Sequence, residues 1–183
     1  MYMETISQSF NSSRSEGFVL KRIKAEHINR DKIIKYGKMI VMPQDEVALT
    51  ARTDASAYYA KLAIWDGLDS LQFGMYQTNE SSRIVDQLEQ HQQTEEFLFC
   101  VTGEFIVPAA LSNNDTQMPD CSHITGLLVK QGEGILFKKG IWHCSPIPVR
   151  NTSIVMVAFK TDTHINDVVL CPLDQTETFE LID

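Results

Sequence analysis

QLEQHQQTEEFLFCVTGEFIV, residues 87–107, is the stretch on which the fold of this 183-residue chain turns. Side chains alternate along an extended strand, so Glu89 and His91, two positions apart, point to one face. After a polar turn, Glu96 opens the apolar run FLFCV, and Gly103 follows it. A carboxylate at the mouth of such a strand costs several kcal/mol if it is left unpaired. Taken singly, His91 reads as a core or surface histidine, and Glu89, Glu95 and Glu96 as solvated charges. A one-residue slip would swap the inward roles of Glu95 and Glu96. As a set, Glu89, His91 and Glu96 read as a site.

Further along the chain come Gly132, Lys138, Lys139, Gly140 and His143. The two blocks, in this order and at this spacing, resemble the two motifs of the cupins, with Glu89 in the place of the first motif histidine and Lys138 in the place of a proline. The resemblance implies an all-β cupin fold, a double-stranded β-helix or jelly-roll barrel, with Glu89, His91, Glu96 and His143 converging inside it. Imidazoles and carboxylates form a nitrogen and oxygen donor set that suits a divalent metal such as Mn, Ni, Zn or Fe. Whether a metal is bound stays open. Nothing indicates an organic cofactor.

Strand and turn signals recur outside these blocks and support the same class. Tyr58 to Trp65, Leu71 to Tyr76, Glu104 to Pro108, Ile124 to Val129, Ile135 to Phe137 and Ile154 to Phe159 read as strands with glycine-rich breaks between them. Leu111 to Ser122 reads as a surface loop. Near the start, Val19 to Lys24 reads as a strand. Asn29 offers a cap for a short helix over Asp31 to Tyr36, with Gly37 as its C-cap, and Lys38 to Met42 returns to extended structure. Residues 1–17 read as a tail and 18–183 as one domain.

Composition narrows the function classes. Hydrophobic residues at 43% and charged residues at 22% are those of a chain that folds alone, and a net charge of -8 argues against nucleic acid. No apolar run approaches the roughly 20 residues that cross a bilayer, so a cytoplasmic protein without membrane contacts is expected. The four cysteines show no C-x-x-C spacing and read as reduced thiols, Cys144 included.

LEQHQQTEEFLFCVTGEFIV (88–107), LLVKQGEGILFKKGIWHCSPIPV (127–149) and IVMVAFKTD (154–162), together with VLKRIKAEHINRDKIIKYGKMI (19–40), resemble the ureidoglycolate lyase family of cupins. That resemblance implies cleavage of (S)-ureidoglycolate to glyoxylate and urea in allantoin and purine catabolism, on a small carboxylate substrate. By position it implies catalytic roles for His91, Glu96, His143 and Glu89, with His91 or Glu96 as base. It also implies substrate contacts from Lys138, Tyr59 and Trp142. The chain departs from the family at FGMYQT (73–78), where no arginine stands for the substrate carboxylate. The alternatives are a metal-dependent oxygenase or isomerase, and a non-catalytic small-molecule binder.

Alternation along 96–101 carries one more expectation. If Glu96, Leu98 and Cys100 face the barrel interior, Phe97, Phe99 and Val101 face out. Covering the three is worth about 5 to 8 kcal/mol. Either the segment Phe18 to Ile23 covers them, or a second copy does in a homodimer.

Overall fold

The computed structural model of the protein describes residues 19–43, 50–52, 56–58, 62–65 and 70–183. Two sheets form the wall of a barrel. One runs in the order β12 (Ile147–Pro148), β9 (Glu104–Ala109), β10 (Thr125–Lys130), β1 (Lys21–His27), β15 (Phe179–Ile182) and β6 (Ile84–Val85). The other runs β2 (Gly37–Ile40), β11 (Gly134–Phe137), β8 (Glu96–Thr102), β13 (Thr152–Lys160) and β5 (Leu71–Asn79). Two short ladders join β7 (Gln87–Gln90) to β14 (Val169–Pro172), and β3 (Thr50–Arg52) to β4 (Ser56–Tyr58). Helices α1 (Arg30–Ile33) and α2 (Thr163–Asn166) are one turn each. This is the all-β barrel the two motif blocks imply.

Period-two alternation separates two cores. Leu127 lies opposite Val107 in the β10–β9 register, and both enter the barrel core with Leu98, Cys100, Phe105, Val129, Ile135, Val155 and Val157. Their neighbours Leu128 and Ile106 pair on the other face. There they meet a second core of Leu88, Trp142, Cys171, Phe179 and Leu181, in which the β7–β14 ladder packs on the outside of the six-stranded sheet to which β15 belongs. Each fully buried side chain of this size contributes about 1.5–3 kcal/mol.

Several local expectations need correction. The helix is shorter than Asp31 to Tyr36: Asn29 caps it through the Lys32 N–H, and it ends at Ile33. Gly37 is not its C-cap but the first residue of β2, packed so closely on β11 that a Cβ would clash with the Leu136 carbonyl. Of Tyr58 to Trp65, Tyr58 ends β4 and residues 62–65 are irregular, while 59–61 lie outside the described residues. Gly103 adopts φ 77°, the left-handed turn between β8 and β9. Strand β1 pairs in parallel with both β10 and β15, so the barrel is not wholly antiparallel. Long crossovers rather than hairpins lead to β1's neighbours, which leaves either direction open.

The alternation of β8 is as expected, with Glu96, Leu98 and Cys100 buried and Val101 exposed. Phe97 and Phe99 stack on each other on the outer face, their ring centroids 6.0 Å apart. Beyond β13 the same face carries Phe73 and Met75 of β5, 63% and 61% exposed. Ile23 belongs to β1, within the six-stranded sheet, and packs on the second core. Among the described residues no helix is long and apolar enough to cross a membrane.

Gly37→Ala should force β2 away from β11. Expected is a loss of about 1–3 kcal/mol, seen as a lower urea midpoint at unchanged m-value; a midpoint equal to wild type would mean that the strand pair absorbs a methyl group.

Candidate metal centre

Three elements carry the site. Glu96 is the first residue of β8, and its partner across the ladder is Phe137. His91 follows the end of β7. His143 follows the Gly140 turn, and its backbone exchanges two hydrogen bonds with Glu89, at 2.7 and 2.9 Å. All three side chains are buried, with Glu96 4%, His91 5% and His143 2% exposed. The ring of Phe137 stacks on His143 at 5.1 Å, and Phe159 leans on His91 at 6.2 Å. These walls keep the local dielectric low and strengthen every charge interaction inside.

The two imidazoles are held from behind in the same way. His91 Nδ1 lies 2.6 Å from the Asp167 carbonyl oxygen, and His143 Nδ1 lies 2.9 Å from that of Ile141. A carbonyl only accepts, so both Nδ1 atoms carry the proton, and in neutral rings both Nε2 lone pairs turn inward. Glu96 Oε2 stands 2.6 Å from His143 Nε2 and 3.6 Å from His91 Nε2. The ligand atoms of the three residues all lie within 4.8 Å of one another. The His143 contact lacks the alignment of a hydrogen bond, and neither Glu96 Oε2 nor His143 Nε2 has a hydrogen-bonding partner. Buried donors that aim at a common point rather than at each other fit a divalent cation.

Without a cation the triad holds protons. Burial opposes the charged form of His91, but Glu96, the Asp167 carbonyl and Glu89 outweigh it and push the imidazole up to about 9. His143 is raised against the same opposition, by Glu96, Glu89 and the Ile141 carbonyl. Burial alone would raise Glu96; the two histidines reverse this and bring it down to about 2. A carboxylate so held is a poor base and a good ligand.

The sequence matches the ureidoglycolate lyase family over residues 20–179.

The chain belongs to that family.

No curated protein matches it. Similar solved structures include Lactobacillus farciminis oxalate decarboxylase in a formate complex, at 15% identity and TM-score 0.41, over 55% of this chain and 26% of that one. The Mycobacterium tuberculosis rmlC epimerase shares 13% identity at TM-score 0.42, over 55% and 50%. The dTDP-4-dehydrorhamnose 3,5-epimerase of Bacillus anthracis shares 14% at TM-score 0.40, over 61% and 74%. The matched part of this chain thus spans about a quarter of the decarboxylase and half of the M. tuberculosis epimerase.

Of the ligands that family resemblance implied, the structure brings together His91, Glu96 and His143 and leaves Glu89 on the rim. Strand β7 ends at Gln90, so the alternation that was to align Glu89 with His91 is not carried through. Glu89 is half-buried and lines an adjoining cleft with Gln87, Leu88, Cys144, Ser145 and Leu170. Lys138 is not in the pocket. It is exposed and donates to the Ile34 carbonyl at 2.7 Å, fastening the end of α1. Trp142 is no pocket wall either: between Ile141 in the barrel core and His143 in the triad it faces the other way, into the second core, with its indole N–H on Ser112 Oγ at 3.1 Å. Tyr59 lies outside the described residues.

Tyr76, at the strand where an arginine was missing, is an inward residue of β5. Its phenol is pushed up to about 12, by burial first and then by the charges of Glu96 and Glu89, against a hydrogen bond with Ser145. The alternation of Gly74, Tyr76 and Thr78 was the signal for it. Burial and the Glu89 charge raise the Cys144 thiol, so it stays protonated and is no nucleophile.

The proton inventory sets a pH dependence. With a folded pKa of about 9 against 6.5, His91 stabilises the metal-free fold fully below pH 6.5 and loses this contribution as pH rises through 9. His143 acts in the same direction. Glu96, lowered from 4.5 to about 2, stabilises above pH 4.5 and loses this as pH falls through 2. The urea midpoint of metal-free protein should therefore fall between pH 6.5 and 9, and Glu96→Gln should remove the fall. A wild-type midpoint that tracks Glu96→Gln over this window would show that the triad does not hold protons.

Proposed function

We propose that the protein cleaves (S)-ureidoglycolate to glyoxylate and urea. The observation that carries this reading is the metal-ready triad with Glu89 and Tyr76 beside it, in a chain of this family. In the reaction a base takes the proton of the carbinol hydroxyl, the C–O bond becomes a carbonyl as the C–N bond breaks, and the leaving nitrogen accepts a proton to give urea. Glu89 is the base in this proposal, because Glu96 is held far below the range of a useful base and faces the two imidazoles. Tyr76 keeps its proton at neutral pH and stands near both carboxylates, so its phenol serves as the donor. His91, Glu96 and His143 would hold a divalent cation, which would supply positive charge for a small carboxylate substrate. Lys138 and Lys139 are both exposed, outside the triad.

Urea and glyoxylate release from (S)-ureidoglycolate, with protein loaded in turn with Mn, Ni, Zn and Fe, tests the proposal. Equimolar products are expected. Glu89→Gln should lower kcat by about 10²–10⁴-fold without releasing the metal. Absence of urea with every metal would overturn the assignment. One observation favours a second reading: with Glu89 outside the ligand set, two histidines and one carboxylate remain, the donor set of non-haem iron oxygenases. Oxygen uptake by the Fe-loaded protein distinguishes it.

Self-association belongs to the same proposal. On the outer face of the five-stranded sheet Phe73 and Phe97 flank Ala158, and Met75 and Phe99 flank Met156, a continuous apolar surface that suits a second copy across a two-fold axis. Light scattering at micromolar concentration should give twice 20.7 kDa and Phe99→Glu the single mass; a wild-type monomer refutes this.

A further inference from the structure

One buried carboxylate takes no part in the chemistry above. Asp167 is 8% exposed and lies at the end of α2, far along the chain from the site. Its Oδ1 accepts the N–H of Gln92 at 2.9 Å, and its Oδ2 accepts those of Gln93 and Thr94 at 2.8 and 3.2 Å. Its own carbonyl takes the His91 ring N–H at 2.6 Å. A single residue thus binds the entire turn that delivers His91, through four hydrogen bonds. The hold is itself anchored, because the Asp167 N–H donates to the Thr163 carbonyl and the Thr163 hydroxyl to that of Lys160. The Lys160 N–H in turn donates to Thr94 Oγ1, on the far side of the same turn.

The geometry points to Asp167 as a positioning residue for His91: its carboxylate clasps the 92–94 backbone so that its carbonyl meets Nδ1 and Nε2 is presented to the cation site. The inference rests on reading His91, Glu96 and His143 as a metal centre, and its clasp can be judged without the metal. Three backbone N–H groups on one carboxylate fix the turn more firmly than neutral acceptors do, since bonds to a charged acceptor are roughly twice as strong. A ring fixed in orientation and tautomer before binding loses no rotational freedom when a cation arrives.

Asp167→Asn is the informative substitution. It keeps the backbone carbonyl and the size of the side chain but sets an amide NH2 against N–H groups that need an acceptor. In metal-free protein the His91 Nδ1 proton should appear as a protected signal in the low-field proton spectrum of wild type. In Asp167→Asn it should be lost, and the amides of Gln92, Gln93 and Thr94 should exchange faster. A ring-proton signal and turn amides unchanged in Asp167→Asn would overturn the clasp.

Zinc titration by calorimetry then reads the consequence. Loss of an outer partner of a metal ligand typically weakens affinity about 10–100-fold, and that is expected for Asp167→Asn. Gly126→Ala, where a Cβ would lie 2.8 Å from the Ala25 Cα between β10 and β1 of the other sheet, is destabilised away from the site and should bind zinc as wild type does. Wild-type affinity in Asp167→Asn, or equal weakening in Gly126→Ala, would reduce Asp167 to a general structural role and refute the inference. If wild type and His143→Ala bind zinc equally poorly, the metal reading fails, and the ring-proton and exchange results alone decide the clasp.

Discussion

Two hydrogen bonds to backbone carbonyls govern the centre of this molecule. By accepting the Nδ1 protons of His91 and His143, the carbonyls of Asp167 and Ile141 turn both Nε2 atoms toward Glu96. Three groups that each prefer water are then committed to one dry point among Phe137 and Phe159. Burying such a cluster without a partner is costly, and a buried ion pair seldom does more than offset its own desolvation. The surrounding barrel has to supply that free energy. Its inner core, its second core under the β7–β14 ladder and the ladder that holds β8 and β11 together make this arrangement stable.

The division of labour between the carboxylates follows from the same constraint. Glu96 starts a buried strand and meets two imidazoles, so its charge is fixed in place. Glu89 is one strand away, its backbone tied to His143 but its side chain in the cleft. Proximity to the same site thus yields a carboxylate committed to two imidazoles in one case and one left open to the cleft in the other.

The sequence disclosed what periodicity and local turn chemistry encode. The faces of β8 followed from alternation along FLFCV, and the motif spacing brought His91, Glu96 and His143 together correctly. Residues whose roles depend on distant partners were not legible. Asp167 bonds to residues 73 to 75 positions away, and no local pattern announces such a contact. Trp142 and Lys138 were misplaced for the opposite reason: they neighbour motif residues in sequence, but strand alternation and an unforeseen contact with α1 turn them from the site. Glu89 was misplaced because a strand ended one residue too soon.

Strand β1 carries a consequence for how the molecule is made. It lies between β10 and β15, and Arg22 meets Glu180 across 158 positions of sequence. Contacts of such separation close large loops of chain, and folds built on them form slowly. During synthesis β1 emerges early and has neither neighbour. With β10 made it gains one, and the edge awaiting β15 remains an unpaired row of amides and carbonyls beside an uncovered apolar face. The growing chain is therefore most exposed to mispairing in the interval before β15 is delivered, and it is there that a chaperone has the most to protect.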